Sequence, residues 1–214
     1  LLIDAETNKI IAQQNPEAST GLASITKIMT SYIVADYLKQ GFLNIKDSTT
    51  VSEKCWRMEG SRMFIQEGKK VLIEDLMRGM IVQSGNDAAC ALAEHIAGTQ
   101  EDFASLMNDY AQRMELRNTN FTNPTGLPNV NHYSTAEDIA KLSKFLINDF
   151  PEEYSIYSEK EFTFNDIRQL NRNSLLWQDD SIDGIKTGHT RASGYCLVAS
   201  SKRADMRLIS IVLN

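Results

Sequence analysis

Three shortages in the sequence each remove a class of function. There is no basic stretch: the longest cationic groups, Lys69-Lys70 and Lys202-Arg203, are only pairs, and the 214 residues carry a net charge of -6 with a pI near 5.1. Nucleic acid or an anionic membrane surface would need a local cationic patch, so neither is an expected partner. No apolar run reaches the ~18 to 20 residues that cross a bilayer. The three cysteines, Cys55, Cys90 and Cys196, are odd in number and far apart. They have neither metal-ligand spacing nor the density of a disulfide scaffold, and read as buried, unpaired thiols. An initiator methionine and a signal-peptide pattern are also missing, and Leu1-Leu2-Ile3-Asp4 is strand-like from the first residue, as expected of a processed or truncated piece of a longer protein.

What is present is ordinary globular composition, 42% hydrophobic and 23% charged, in a length that suits one large domain or two closely joined lobes. With no internal repeat or low-complexity linker, residues 1–214 read as a single domain. Leu1 to Asp4 and Lys9 to Ala12 flank Glu6-Thr7-Asn8 as a hairpin would. Ile25, Ile28, Met29, Tyr32, Ile33 and Tyr37 recur at helical spacing from Ser24 and stop before Gly41. Asn44 to Lys70 reads as loops and short strands at a surface. Helical periodicity then dominates: Leu76, Met77, Met80 and Ile81, next Ala88, Ala91, Leu92 and Ile96 ending at Gly98, next Phe103 to Met114. Asn118 to Asn131, with Pro124, Gly126 and Pro128, is a long loop. Ser134 and Glu137 form a capping-box pattern ahead of Ile139, Leu142, Phe145 and Leu146, with Pro151 closing that helix. In the last third Glu161–Phe164, Ile182–His189, Tyr195–Ser200 and Met206–Leu213 are strand-like, the last two a hairpin. The pattern predicts an α/β (α+β) fold: a mainly antiparallel sheet drawn from both chain ends, flanked by helices, with an inserted all-helical lobe over about residues 45–150.

Three short motifs carry chemistry. Ser24 and Lys27 stand three apart and share a helical face. A lysine buried there loses hydration, and its pKa falls toward that of a usable base for the serine hydroxyl. Ser84 and Asn86 sit in the short connection between two apolar helices, where side chains can point into a cleft. Lys186-Thr187-Gly188 lies on a strand, so Lys186 and Gly188 share one face, Thr187 takes the other unless the edge twists, and Gly188 lets another chain come close. Such an edge can pair with an extended peptide while the ammonium and hydroxyl bind a carboxylate.

Ser-x-x-Lys, Ser-x-Asn and Lys-Thr-Gly, in this order, are the motif set of β-lactamases and penicillin-binding proteins. Together with Ser84-Gly85-Asn86, Lys186-Thr187-Gly188-His189-Thr190 and the run from Tyr154-Ser155-Ile156-Tyr157 through Phe162-Thr163-Phe164-Asn165, they make the whole chain resemble the low-molecular-mass penicillin-binding proteins that act as D-alanyl-D-alanine carboxypeptidases. The resemblance implies the β-lactamase/transpeptidase-like fold, no cofactor, and as partners a peptidoglycan stem peptide ending in D-Ala-D-Ala and β-lactam antibiotics. It implies Ser24 as nucleophile, Lys27 as base, Ser84 as proton relay, and Asn86 fixing Lys27 and the substrate amide. Lys186 would supply positive field, Thr187 the carboxylate contact, and the main-chain N–H groups of Ser24 and His189 the oxyanion hole, with Gly188 between. Arg172 resembles the arginine this branch brings to the carboxylate, and Arg168 is the competing candidate. His95 and His132 are assigned to structure. The resemblance also implies the periplasmic face of the cell envelope, with membrane contact only through segments outside this chain. Two rivals share the acylation residues. A class A β-lactamase needs a Glu-x-x-Leu-Asn loop, and Ile167 stands where the glutamate ahead of Leu170-Asn171 belongs. A penicillin-binding sensor would be acylated once without turnover.

Overall fold

The computed structural model describes all 214 residues. At its centre is α1 (Lys27–Lys39), which buries nine consecutive residues from Lys27 to Ala35. A helix covered on every side must be enclosed by the rest of the fold. On one side lies a five-stranded antiparallel sheet in the order β2-β1-β9-β8-β7, made of β1 (Leu2–Asp4), β2 (Ile10–Ala12), β7 (Ile182–Thr190), β8 (Gly194–Arg203) and β9 (Met206–Val212). Both chain ends therefore meet in one sheet, with Leu2 opposite Ser210, and β7 is one of its two edge strands. The other side is helical: α2 (Glu53–Trp56), α3 (Ile73–Ile81), α4 (Asn86–Ala97) and α5 (Gln100–Arg113). Next come α6 (Ala136–Asp149), which packs on α1 and β9, and α7 (Pro151–Tyr154). A core of 50 buried residues runs continuously from the sheet through α1 into the helices.

Several local expectations shift, each for a physical reason. The cap of α6 is Thr135, whose hydroxyl accepts from the Asp138 main-chain N–H at 3.2 Å, one position later than the Ser134–Glu137 pattern predicts. Ser134 instead bonds Thr119 Oγ1 at 2.7 Å and exchanges main-chain bonds with Thr20. Phe145 stands on the outer side of α6 rather than in its buried stripe, and Pro151 opens α7 in the first-turn position that suits proline's missing N–H. The segment from Asn44 to Lys70 carries two short strands, β3 (Ser48–Thr50) and β4 (Lys70–Leu72), as expected of it, yet it also buries Val51, Cys55, Met63 and Ile65.

Two features overturn the reading outright. Cys55 and Cys90 form a disulfide, Cα to Cα 5.3 Å, that joins α2 to α4; only Cys196 is a free thiol, and it is buried. Packing of α2 on α4 makes that pair, and spacing along the chain carries no sign of it. Residues 167–170, to which the pattern assigns no strand, form one: β5 (Glu161–Phe164) and β6 (Ile167–Leu170) make a separate hairpin. Its turn residues Asn165 and Asp166 both have positive φ, 47° and 61°, the geometry that matches the twist of paired strands.

Candidate active site

Ser24 does not begin an α-helix. It lies in a single 3-10 turn, Ala23–Thr26, that runs into α1, and Leu22 before it supplies no side-chain cap. In a 3-10 turn residues three apart eclipse. That places Lys27 Nζ 2.9 Å from Ser24 Oγ, so the serine hydroxyl serves the lysine rather than the helix end. The turn is strained into place: Ala23 has φ +47°, and Gly126 of the long loop (φ +84°) packs so tightly on it that a methyl group there would fall 1.7 Å from the Ala23 carbonyl oxygen.

Lys27 is fully enclosed and has two further partners, Asn86 Oδ1 at 2.7 Å and the main-chain oxygen of Thr125 at 2.8 Å. Asn86 is fixed in that orientation because its Nδ2 donates to the Glu59 carbonyl at 2.6 Å. Burial, and next the positive charge of Lys186, hold the Lys27 amine well below its usual pKa, against a smaller opposing pull from Asp87. A neutral amine has two N–H donors and one lone pair. With the two carbonyl oxygens taking those donors, the lone pair of a neutral Lys27 would face the Ser24 hydroxyl proton. The third partner, Thr125, belongs to the Asn118–Asn131 loop, to which the sequence reading gave no role in the site.

Lys186 is buried on the core face of β7, its amine brought down to about 7 by burial and then by the charge of Arg172. Gly188 lets β7 approach the Ser24 turn, for a methyl group at this position would lie 3.1 Å from Ser24 N. Ser24, Ser84, Arg172, Thr187, Gly188 and His189 line one open cavity of about 650 Å³. Thr187 reaches it although Lys186 and Gly188 hold the opposite face of the strand, as an edge strand of a twisted sheet permits. Ser84 has φ +65°, which turns the chain between α3 and α4. Its neighbour Asp87 is buried, and its carboxylate accepts from the N–H groups of Met63, Phe64, Ile65 and Ala88, tying the 60s loop to the start of α4. Burial nonetheless raises its pKa.

The two arginines separate. Arg172 lines the cavity, while Arg168 is exposed on β6 and paired with Glu161. His132 is buried with a structural partner, Thr26, and His95 is exposed near the end of α4. Every motif residue expected in the site is thus at one place, with Lys27 as its hub.

Residues 1–214, the whole chain, match the family described as D-alanyl-D-alanine carboxypeptidase. The chain belongs to this family. The D-alanyl-D-alanine carboxypeptidase DacC of Escherichia coli K12 is 49% identical across all of this chain and 55% of its own length. DacA of Haemophilus influenzae is also 49% identical, over 56% of its length. The crystal structure of penicillin binding protein 5 from Haemophilus influenzae superposes with a TM-score of 0.96, 99% of this chain covering 63% of that one at 49% identity. That of a Streptomyces K15 DD-transpeptidase mutant superposes at 0.91, with 26% identity, over 99% of this chain and 88% of that one. The carboxypeptidase-family chain thus spans about half the length of the curated relatives it matches.

Proposed function

We propose that this chain is the acyl-transfer domain of a serine D-alanyl-D-alanine carboxypeptidase. The observation that carries the reading is the buried Lys27 amine, 2.9 Å from Ser24 Oγ and held on its other sides by Asn86 Oδ1 and the Thr125 carbonyl oxygen. Ser24 Oγ attacks the carbonyl carbon of the penultimate D-alanine as its proton passes to Lys27. The oxyanion that forms is met by the main-chain N–H groups of Ser24 and His189, in the positive field of Lys186. As the C–N bond breaks, Ser84 hands the Lys27 proton to the leaving nitrogen, and free D-alanine departs with its carboxylate released from Thr187 and Arg172. Water then attacks the Ser24 ester, its proton again taken by Lys27 and passed to Ser24 Oγ as the ester C–O bond breaks, and the shortened peptide leaves with a new carboxylate. With a β-lactam the same attack opens the ring, but the leaving nitrogen stays tethered and the ester persists.

The ligands proposed are therefore a peptidoglycan stem peptide ending in D-Ala-D-Ala and β-lactam antibiotics. The Cys55–Cys90 disulfide supports an oxidising compartment, in keeping with the periplasmic side of a cell envelope. No helix is long and apolar enough to cross a membrane.

The test has two steps. Penicillin should add its own mass to the protein and not to a Ser24→Ala variant; a shift that persists in the variant would remove Ser24 from the reading. Incubation with a D-Ala-D-Ala-ending peptide should then release D-alanine well beyond one equivalent. Release that stops at one equivalent would assign a sensor that is acylated without turnover.

A further inference from the structure

The Thr125 carbonyl is a main-chain group on a long loop, and its aim at Lys27 needs a cause. Asn123 shapes the turn: its Oδ1 accepts from the N–H of Thr125 at 3.1 Å, the hydroxyl of Thr125 at 2.9 Å and the N–H of Gly126 at 2.7 Å. Thr30 of α1 donates to the Pro124 carbonyl at 2.7 Å. The strand of loop that returns is held by His132, which is 4% exposed. Its Nδ1 accepts the Thr122 N–H at 3.0 Å, and its Nε2 meets Thr26 Oγ1 at 2.7 Å. Because Nδ1 accepts, Nε2 carries the proton and donates to Thr26. Thr26 stands between Ser24 and Lys27. One imidazole therefore clamps the nucleophile's turn to the loop that supplies the base with an acceptor.

We propose that His132 is a positioning residue for the base: it holds the Asn118–Asn131 loop against the Ser24 turn, so that the Thr125 carbonyl occupies one Lys27 donor and the lone pair stays on Ser24. This rests on the reading of Lys27 as the base. The residue touches neither substrate nor reacting atoms, and acts through Thr26 and Thr125. Burial keeps its ring neutral, lowering its pKa to about 4, so the clamp holds across the neutral range.

The charged groups facing Lys27 are Lys186 from β7 and Asp87 from α4, and the loop itself carries no charged side chain between Asn118 and Asn131. Loss of the clamp therefore withdraws a carbonyl acceptor, not a charge. An ammonium that loses an acceptor is less favoured, so the pKa of Lys27 falls further.

The experiment measures the rate of acylation by a fluorescent penicillin from pH 5 to 9 for wild type, His132→Ala and Thr26→Val, with the active fraction of each preparation fixed by its end-point labelling. Both variants should acylate ~100-fold more slowly per active molecule, the scale of a misplacement near 1 Å. The acid limb of their profiles should also move to lower pH, which a residue that only stabilises the fold would not cause. If His132→Ala does not fold, Thr26→Val, which keeps the volume and removes only the Oγ1 partner, decides alone. A wild-type rate per active molecule with an unmoved acid limb overturns the proposal. Ser24→Ala is the control that separates the two readings: labelling of that variant would mean the nucleophile is elsewhere, whatever His132 does.

Discussion

Replacing Asn86 with aspartate changes one atom of the side chain and reverses the electrostatics of Lys27. Asn86 Oδ1 lies 2.7 Å from Lys27 Nζ. A carboxylate oxygen at that distance attracts an ammonium by roughly 6 kcal/mol at an effective dielectric of about 20. At 1.36 kcal/mol per unit, this would raise the Lys27 pKa by roughly 4 units before desolvation of the new anion is subtracted. The substitution also removes the donor that meets the Glu59 carbonyl at 2.6 Å, leaving two acceptors face to face. Once the pKa of the variant's amine passes 7, each further unit of rise cuts its neutral fraction at pH 7 about tenfold. Acylation by a fluorescent penicillin should then fall ~10-fold or more at pH 7 and climb about tenfold for each pH unit toward alkali as the amine deprotonates. Stopped-flow or gel-based labelling across pH 6 to 10 reads both effects. An Asn86→Asp protein that acylates within a few-fold of wild type at pH 7, on an unshifted profile, would refute the assignment of Lys27 as a neutral base.

Breaking the Cys55–Cys90 bond, as Cys55→Ala with Cys90→Ala, reopens a loop of sequence separation 35 and should reduce stability by ~4 kcal/mol on the chain-entropy estimate. Urea denaturation checks this, and a loss below ~1 kcal/mol would mean that the unfolded chain gains little freedom. Arg172→Ala should raise the KM for a peptide with a free C-terminal carboxylate by ~10-fold or more, the value of one charge-assisted contact, while Arg168→Ala leaves it unchanged; equal effects would place the carboxylate elsewhere. Stability should rise from pH 7 to about 9.5. The folded Lys186 pKa is about 7 and its unfolded value 10.5, so the unfolded chain holds more protons throughout that window. Lys27 acts in the same direction. Above pH 10 the trend should reverse, because Tyr32, Tyr110, Tyr154 and Tyr157 have pKa values raised by burial. Urea midpoints at pH 7, 8 and 9 for wild type and Lys186→Met should show the shallower slope in the variant, and a flat or falling wild-type trend would contradict the burial argument.

The parts of this molecule legible in its sequence are those whose signal is local. Period-3.6 stripes mark α1 and α3 to α6, and period-2 runs mark β7 to β9, because each element shows its buried face in its own residues. The site was legible for another reason: Ser24, Lys27, Ser84, Asn86 and Lys186 to His189 form three motifs in a fixed order. What stayed hidden depends on contacts between distant segments. The Cys55–Cys90 pair exists because α2 packs on α4, and the Thr125 carbonyl works in the site because Gly126 packs on Ala23. A main-chain acceptor leaves no residue-type signature, since any residue has a carbonyl. Asp87 was the one missed group with a visible cue, a carboxylate in the first turn of a helix, where it suits the dipole. The hairpin of β5 and β6 had a cue as well in Asn165-Asp166, two residues that tolerate the positive φ of its turn. Arg168 and Arg172 could be told apart only once that hairpin had carried Arg168 to Glu161 and away from the cavity.

The base strength of Lys27 is a property of the assembled fold and not of its motif. Ser-x-x-Lys supplies only the eclipsed pair; on an exposed turn its amine would stay protonated at neutral pH and offer Ser24 no lone pair. Four segments far apart in sequence change this. Glu59 orients Asn86, α4 delivers Asn86, the long loop delivers Thr125, and the edge strand brings Lys186. Together they act on the amine through burial, through repulsion, and through acceptors that engage two donors and so leave the lone pair one direction. Lys27 and Lys186 are also the two buried amines whose folded pKa values lie below their unfolded ones. The fold therefore gives up stability at neutral pH in proportion to how strongly it holds them uncharged. A change that lets Lys27 charge more easily should stabilise the protein at pH 7 and slow acylation together, which is the coupling expected when a site is built from burial that the rest of the structure must sustain.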